Sequence, residues 1–268
     1  MDKLVKFAKY HGAGNDFIMI DNRDGFLPRI DQLTYRKWCD RRFGIGADGL
    51  ILIQNSESSD FLMLYYNADG SEGSLCGNGG RCAVKFASSL GLTGNDTFFH
   101  ASDGEHQAEI LNNGNIRLQM KDVSGFEHHA EYDFINTGSP HFVRWVKDVK
   151  SYPVVEKGKE IRNRKEFAPG GTNVNFVSEE GDFLKVRTYE RGVEDETLAC
   201  GTGVTAVVIS WANRNNYHGK LTKEVKVEGG KLTVEMEVST YGYSNIWLIG
   251  PAEEVFRGEL TYSTKNLT

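Results

Sequence analysis

Proline is scarce in this 268-residue chain, at five residues against 30 glycines, and no apolar run approaches the roughly 20 residues of a membrane span. The first residues, MDKLVKFAKYHGAGNDF, lack the apolar core and small-residue cleavage site of a signal peptide, which predicts a cytoplasmic protein. Acidic and basic residues are interspersed for a formal net charge of −6, with no polybasic arm, so neither nucleic acid nor an anionic membrane is an expected partner. There are only four cysteines, Cys39, Cys76, Cys82 and Cys200, and they form no C-x-x-C pair; Cys76 and Cys82 stand six apart. Four cysteines in a chain this long without an export signal are expected as reduced thiols rather than a disulfide framework, and the missing C-x-x-C leaves a zinc or thiol-redox module as a poor alternative. No P-loop and no dinucleotide fingerprint occur. What remains is a protein acting on a small molecule, with no cofactor or metal expected.

At this length, one large domain or two modest ones are available. The chain consists of short turn-bounded runs: LVKFAKY, FIMID, LILIQ, FLMLYYN, TFFHA, IRLQM, HFVRWV, NVNFV, FLKVRTY, EVKVEGGKLTVEMEV and IWLIG. Their β-branched and aromatic content predicts many short antiparallel strands. The clearest helical segments are CAVKFASSLG and VTAVVISWANRN, the second apolar on nearly every side and therefore buried.

The pattern repeats. DFLMLYYNADGSEGSLCGNG and DFLKVRTYERGVEDETLACGTG each give a strand, an acidic turn, a cysteine before Gly-x-Gly, and then a helix. Asp60-Phe61-Leu62 precedes Cys76 by 16 residues, and Asp182-Phe183-Leu184 precedes Cys200 by 18. A histidine beside turn residues stands upstream in each half, His11 in HGAGNDF and His141 in TGSPHF. The expected fold is α+β: two pseudo-symmetric domains, each a curved, mostly antiparallel sheet or barrel around a central helix that begins at its cysteine. The domains are expected at 1–122, completed by 255–268, and at 123–254, with the active site in the cleft between them.

A helix N-terminus carries about half a positive charge and unpaired N–H donors. A cysteine placed there has its pKa drawn down from roughly 8.5, and the adjacent glycines let a carboxylate approach the backbone. One thiolate can remove a proton from a stereocentre, but inversion needs a second thiol to return it on the other face. Such a pair suits a racemase or epimerase, with N–H dipoles stabilising the carbanion-like transition state.

At these residues the chain resembles the diaminopimelate epimerases over essentially its whole length. HGAGNDF, RFGIGADG, NADGSEGSLCGNGGRC, GSPHFV, GTNVNFV and YERGVEDETLACGTG occur in the family's order. The resemblance implies a cofactor-independent isomerase that interconverts LL- and meso-2,6-diaminopimelate on the route to lysine and peptidoglycan, and it implies a homodimer. It assigns Cys76 and Cys200 as the acid/base pair, with His141 and Glu190 supporting their protonation states. Asn15, Asn67 and Asn173 are implied as polar substrate contacts, and Glu190 with Arg191 as readers of the distal amino-carboxylate end. Gly77 with Asn78, and Gly201 with Thr202, would donate backbone N–H groups to the reacting carboxylate. Two positions depart from the family pattern: many members carry Gln at the place of Gly49 and Asn at that of Ser139. Cys39, Cys82 and His11 read as structural. A proline or hydroxyproline racemase on the same fold is the alternative, but it would have no use for the distal clamp.

Overall fold

A computed structural model describes residues 2–29, 31–73 and 75–263. In chain order the elements are β1 (Asp2–Gly12), β2 (Asn15–Asp21), α1 (Gln32–Cys39), β3 (Gly49–Gln54), β4 (Phe61–Asn67), α2 (Gly77–Ser89), β5 (Asp96–Ala101) and β6 (Gly104–Ile110). They continue as β7 (Ile116–Gln119), β8 (Glu127–His128), β9 (Asp133–Asn136), β10 (Pro140–Trp145), α3 (Val154–Arg162), β11 (Asn173–Glu180), β12 (Phe183–Glu190), β13 (Asp195–Thr197) and α4 (Gly201–Arg214). β14 (Gly219–Val227), β15 (Gly230–Ser239), β16 (Gly242–Gly250) and β17 (Glu253–Ser263) follow, the last of the described elements. Every strand expected from the sequence is present, with α1, α3 and several edge strands in addition. None of the described helices is long and apolar enough to cross a membrane.

The chain divides into two compact units: the first runs to Ile116 and resumes at Pro251, and the second is Arg117–Gly250. The sequence-based boundaries at 122/123 and 254/255 stand six and four residues further on. The difference has a local cause. β7 lies beside β16 of the second unit, whereas the Pro251 carbonyl accepts a hydrogen bond from Arg81 in the first.

In the first unit the strands run β17–β1–β2–β3–β4–β5–β6, and in the second β9–β10–β11–β12–β14–β15–β16. The pairing is mostly antiparallel, as expected, with four parallel exceptions: β2–β3, β4–β5, β10–β11 and β12–β14. Each of these pairs is separated in the chain by one of α1 to α4. A parallel pair needs such a crossover, where a tight turn would leave the strands antiparallel.

α2 packs on β1, β2, β3, β4 and β6, and α4 on β9 to β12, β15 and β16, so each is the central helix of its unit. Val204 to Ser210 are all buried, which accounts for a helix apolar on all sides. α1 and α3 cover the outer faces. Tyr35 and Trp38 pack with Ile18, Leu50 and Tyr66, while Val154 and Ile161 pack with Phe142, Val174 and Tyr189. Cys39 and Cys82 are buried, and burial pushes both thiols up to about 12, so neither is a nucleophile near neutral pH.

Candidate active site

Both cysteines of the Gly-x-Gly motifs stand immediately before a central helix. Cys76 precedes α2 with φ −95° and ψ 124°, and Cys200 precedes α4 with φ −120° and ψ 107°. Neither sulfur accepts a capping hydrogen bond from its helix, unlike Asp31, whose carboxylate caps α1 through the Thr34 N–H. The positive end of each helix dipole is therefore directed at whatever anion lies beside the sulfur.

Asn15 reaches Cys76 because β1 and β2 are joined by a two-residue loop. Ala13 and Gly14 both have positive φ, 53° and 87°, as a type I′ turn requires, and Gly12 pairs with Asn15 across it. The Cys76 S–H donates to Asn15 Oδ1 at 3.5 Å, and Asn78 Nδ2 donates to the same oxygen at 3.2 Å. Two charged groups fix this amide chain. Asn15 Nδ2 donates to Asp48 at 2.7 Å, and Arg81 donates to Asn78 Oδ1 at 3.0 Å. Arg81 is wholly buried, its other donors serve the Gly77 and Pro251 carbonyls, and no carboxylate pairs with it among the described residues. Burial lowers its pKa, opposed by the thiols of Cys82 and Cys76. Its charge adds to the positive end of α2. Asn67 ends β4 opposite Gly49 and donates to Ser71 Oγ at 3.2 Å.

In the second unit the predicted residues are joined more densely. His141 Nε2 lies 2.9 Å from Thr202 Oγ1 and 3.0 Å from Ser139 Oγ; Thr202 Oγ1 lies 3.6 Å from Cys200 Sγ. Asn173 donates to Ser139 Oγ at 3.2 Å and accepts the Arg191 backbone N–H at 3.0 Å. Glu190 ends β12 and accepts from Thr197 Oγ1 at 2.9 Å. Cys200 is 7% exposed and His141 fully buried. Desolvation, with a smaller contribution from the Arg191 charge, pulls the imidazole pKa down to about 3. The ring is therefore neutral at ordinary pH, and its hydrogen bonds tie it to Thr202, Ser139 and Asn175.

The two departures from the family pattern have structural counterparts. A Cβ on Gly49 would come within 2.5 Å of the Tyr65 ring and 2.6 Å of the Tyr66 carbonyl, so no side chain fits. Ser139 is hydrogen-bonded to His141, Thr202 and Asn173 together. Sequence reasoning missed Asp48, Arg81, Asn175 and Thr188. A signal was present for Asn175: in NVNFV it alternates with Asn173, so both amides share one face of β11.

A family model described as diaminopimelate epimerase matches residues 7–125 and 134–253. A diaminopimelate epimerase of Flavobacterium psychrophilum is 48% identical over 258 residues, spanning 94% of this chain and 98% of its own. Among solved structures, a Bacillus anthracis phenazine biosynthesis protein of the PhzF family superposes with a TM-score of 0.79 at 15% identity, over 96% of this chain and 99% of that one. A hydroxyproline epimerase from Agrobacterium vitis, solved with bound trans-4-hydroxy-L-proline, gives 0.69 at 13% identity over 96% of this chain and 91% of its own. At those identities the two structures share the fold alone with this chain.

Proposed function

The chain belongs to the diaminopimelate epimerase family, and we propose that it interconverts LL- and meso-2,6-diaminopimelate by a cofactor-independent two-base mechanism. The observation that carries this reading is the duplication of one element. In each unit a cysteine stands before the central helix, without capping it, beside polar groups that bear on its sulfur. One sulfur, as thiolate, takes the α-proton and becomes S–H. The other, as thiol, gives its proton to the opposite face of the carbanion and becomes the thiolate, so each turnover leaves the pair exchanged. The helix N-termini at Gly77–Asn78 and Gly201–Thr202 supply dipoles for the substrate carboxylate, where negative charge builds in the transition state.

In this reading His141 and Glu190 tune the thiols, and Asn15, Asn67 and Asn173 hold the substrate's polar groups. Arg191, whose backbone is tied to Asn173, offers its guanidinium to the distal carboxylate. Membership of the family is also the ground for expecting a cytoplasmic homodimer, which light scattering on the purified protein tests. The likeness to the hydroxyproline epimerase is one of fold and gives no reason to prefer a cyclic substrate.

Proton NMR of LL-diaminopimelate with reduced protein in D2O, without added cofactor, tests the reading. Wild type should yield meso product with deuterium at one α-carbon, and Cys76→Ala and Cys200→Ala should each abolish inversion. Full inversion by either variant would remove that cysteine from the mechanism.

A further inference from the structure

Beneath Cys200 lies a buried polar pair at positions where the other unit has hydrocarbon. In β2–β3, Phe17 pairs with Gly49 and Met19 with Ile51; in β10–β11, His141 pairs with Asn173 and Val143 with Asn175. His141 thus holds the register of Phe17, and Asn175 that of Ile51. The central helices report the equivalence of Ile51 and Asn175. A Cβ on Gly79 would meet Ile51 and Phe17, whereas one on Gly203 would meet Asn175 Oδ1 and Cys200 Sγ. All four side chains are fully buried. The first unit shows that two apolar residues satisfy the packing, while a buried histidine and amide cost free energy unless each polar atom is paired. Packing alone does not account for the polar pair.

The hydrogen bonds define its protonation. Asn175 Nδ2 donates to the Phe142 carbonyl at 3.1 Å, and Thr188 donates to Asn175 Oδ1 at 3.0 Å, so the amide has one orientation. Its second N–H is directed at His141 Nδ1, 3.1 Å away. A donor there requires a lone pair on Nδ1, which places the single ring proton on Nε2. Nε2–H then donates to the hydroxyls of Thr202 and Ser139. Thr202, whose oxygen receives that hydrogen, keeps its own O–H to give, and Cys200 Sγ is within reach.

We propose that Asn175 is a positioning residue: it holds His141 as the neutral Nε2–H tautomer, which turns the Thr202 hydroxyl to donate to Cys200 and stabilises its thiolate. This rests on the reading of Cys200 as an acid/base group. A donor to sulfur favours the charged form, and a hydrogen bond to a charged group is worth enough to change the thiolate fraction about tenfold.

Two measurements test it, heteronuclear NMR of the His141 ring nitrogens and pH titration of thiolate ultraviolet absorbance in a Cys76→Ser background. The expected tautomer is Nε2–H in the unsubstituted chain, and Asn175→Ile should release it. That substitution should lower the Cys200 thiolate fraction at neutral pH about tenfold. Thr202→Val should lower it alike while leaving the tautomer in place, and Thr202→Ser should restore it. The double variant His141→Phe with Asn175→Ile copies the packing of the first unit, so it should fold and show the same weakened thiolate. An Nδ1–H tautomer at the outset, or a Cys200 titration unmoved by Asn175→Ile or Thr202→Val, would overturn the proposal. Persistent inversion of diaminopimelate by Cys200→Ala would instead remove the acid/base reading, whatever the ring nitrogens show.

Discussion

Protonating His141 would bring a second proton to a fully buried ring whose Nδ1 already receives the Asn175 N–H. Its pKa falls from 6.5 to about 3 in the native state, so below pH 6.5 the unfolded chain binds a proton that the native chain refuses. The resulting stability is whole above pH 6.5 and is lost as the pH falls from there towards 3. Chemical denaturation midpoints followed across that window should decline more steeply for wild type than for His141→Phe with Asn175→Ile. Equal slopes would mean that the ring takes its proton without penalty. The cysteines show the same dependence on surroundings. Cys39 and Cys82 are buried and pushed up to about 12 by desolvation, while Cys76 and Cys200 sit at helix N-termini beside an amide and a hydroxyl.

Among the elements, the two Cys-Gly-x-Gly turns differ in what their second glycine permits. A Cβ on Gly203 would stand 2.4 Å from Asn175 Oδ1, an atom fixed by the Thr188 hydroxyl; one on Gly79 would meet Ile51 Cδ1, the end of a flexible side chain, at 3.1 Å. Gly203→Ala should therefore cost about 2 kcal/mol in stability and much of the activity, and Gly79→Ala less of both. Thermal unfolding and the deuterium-exchange assay measure the two. Gly79→Ala proving the more damaging would contradict the assigned roles. The first turns of α2 and α4 also explain why helical periodicity is hard to see there. Glycines carry no apolar pattern, so the readable stretch begins only at Cys82 and Val204, although the helices begin at Gly77 and Gly201.

For the whole molecule, the first unit is closed by the last described strand. β17 pairs with β1 along most of its length, and Tyr262 donates to Asp31, the residue that caps α1. Ending the chain at Ala252 would leave β1 without one neighbour and α1 without that tie. Such a chain should lose protease resistance in the first unit and expose an edge prone to aggregation, while residues 117–250 retain their internal pairing. Hydrogen exchange read by mass spectrometry distinguishes the two regions, and unchanged protection of β1 would refute the argument.

Much of this protein is determined by short-range pattern. Strands are legible because alternating β-branched and aromatic residues bury one face, α4 because it is apolar all round, and the repeat because each half writes strand, acidic turn, Cys-Gly-x-Gly and helix in the same order. Cys76, Cys200, His141 and Asn173 are legible through their motifs. The tertiary structure alone decided which strands run parallel, because that follows from where each helix crosses, and which residues share a register across strands far apart in sequence. Arg81 and Asn175 could not be read locally. Their effect comes from desolvation and from hydrogen-bond partners, Pro251 for one and Thr188 and His141 for the other, and those exist only once the sheet has closed around its helix.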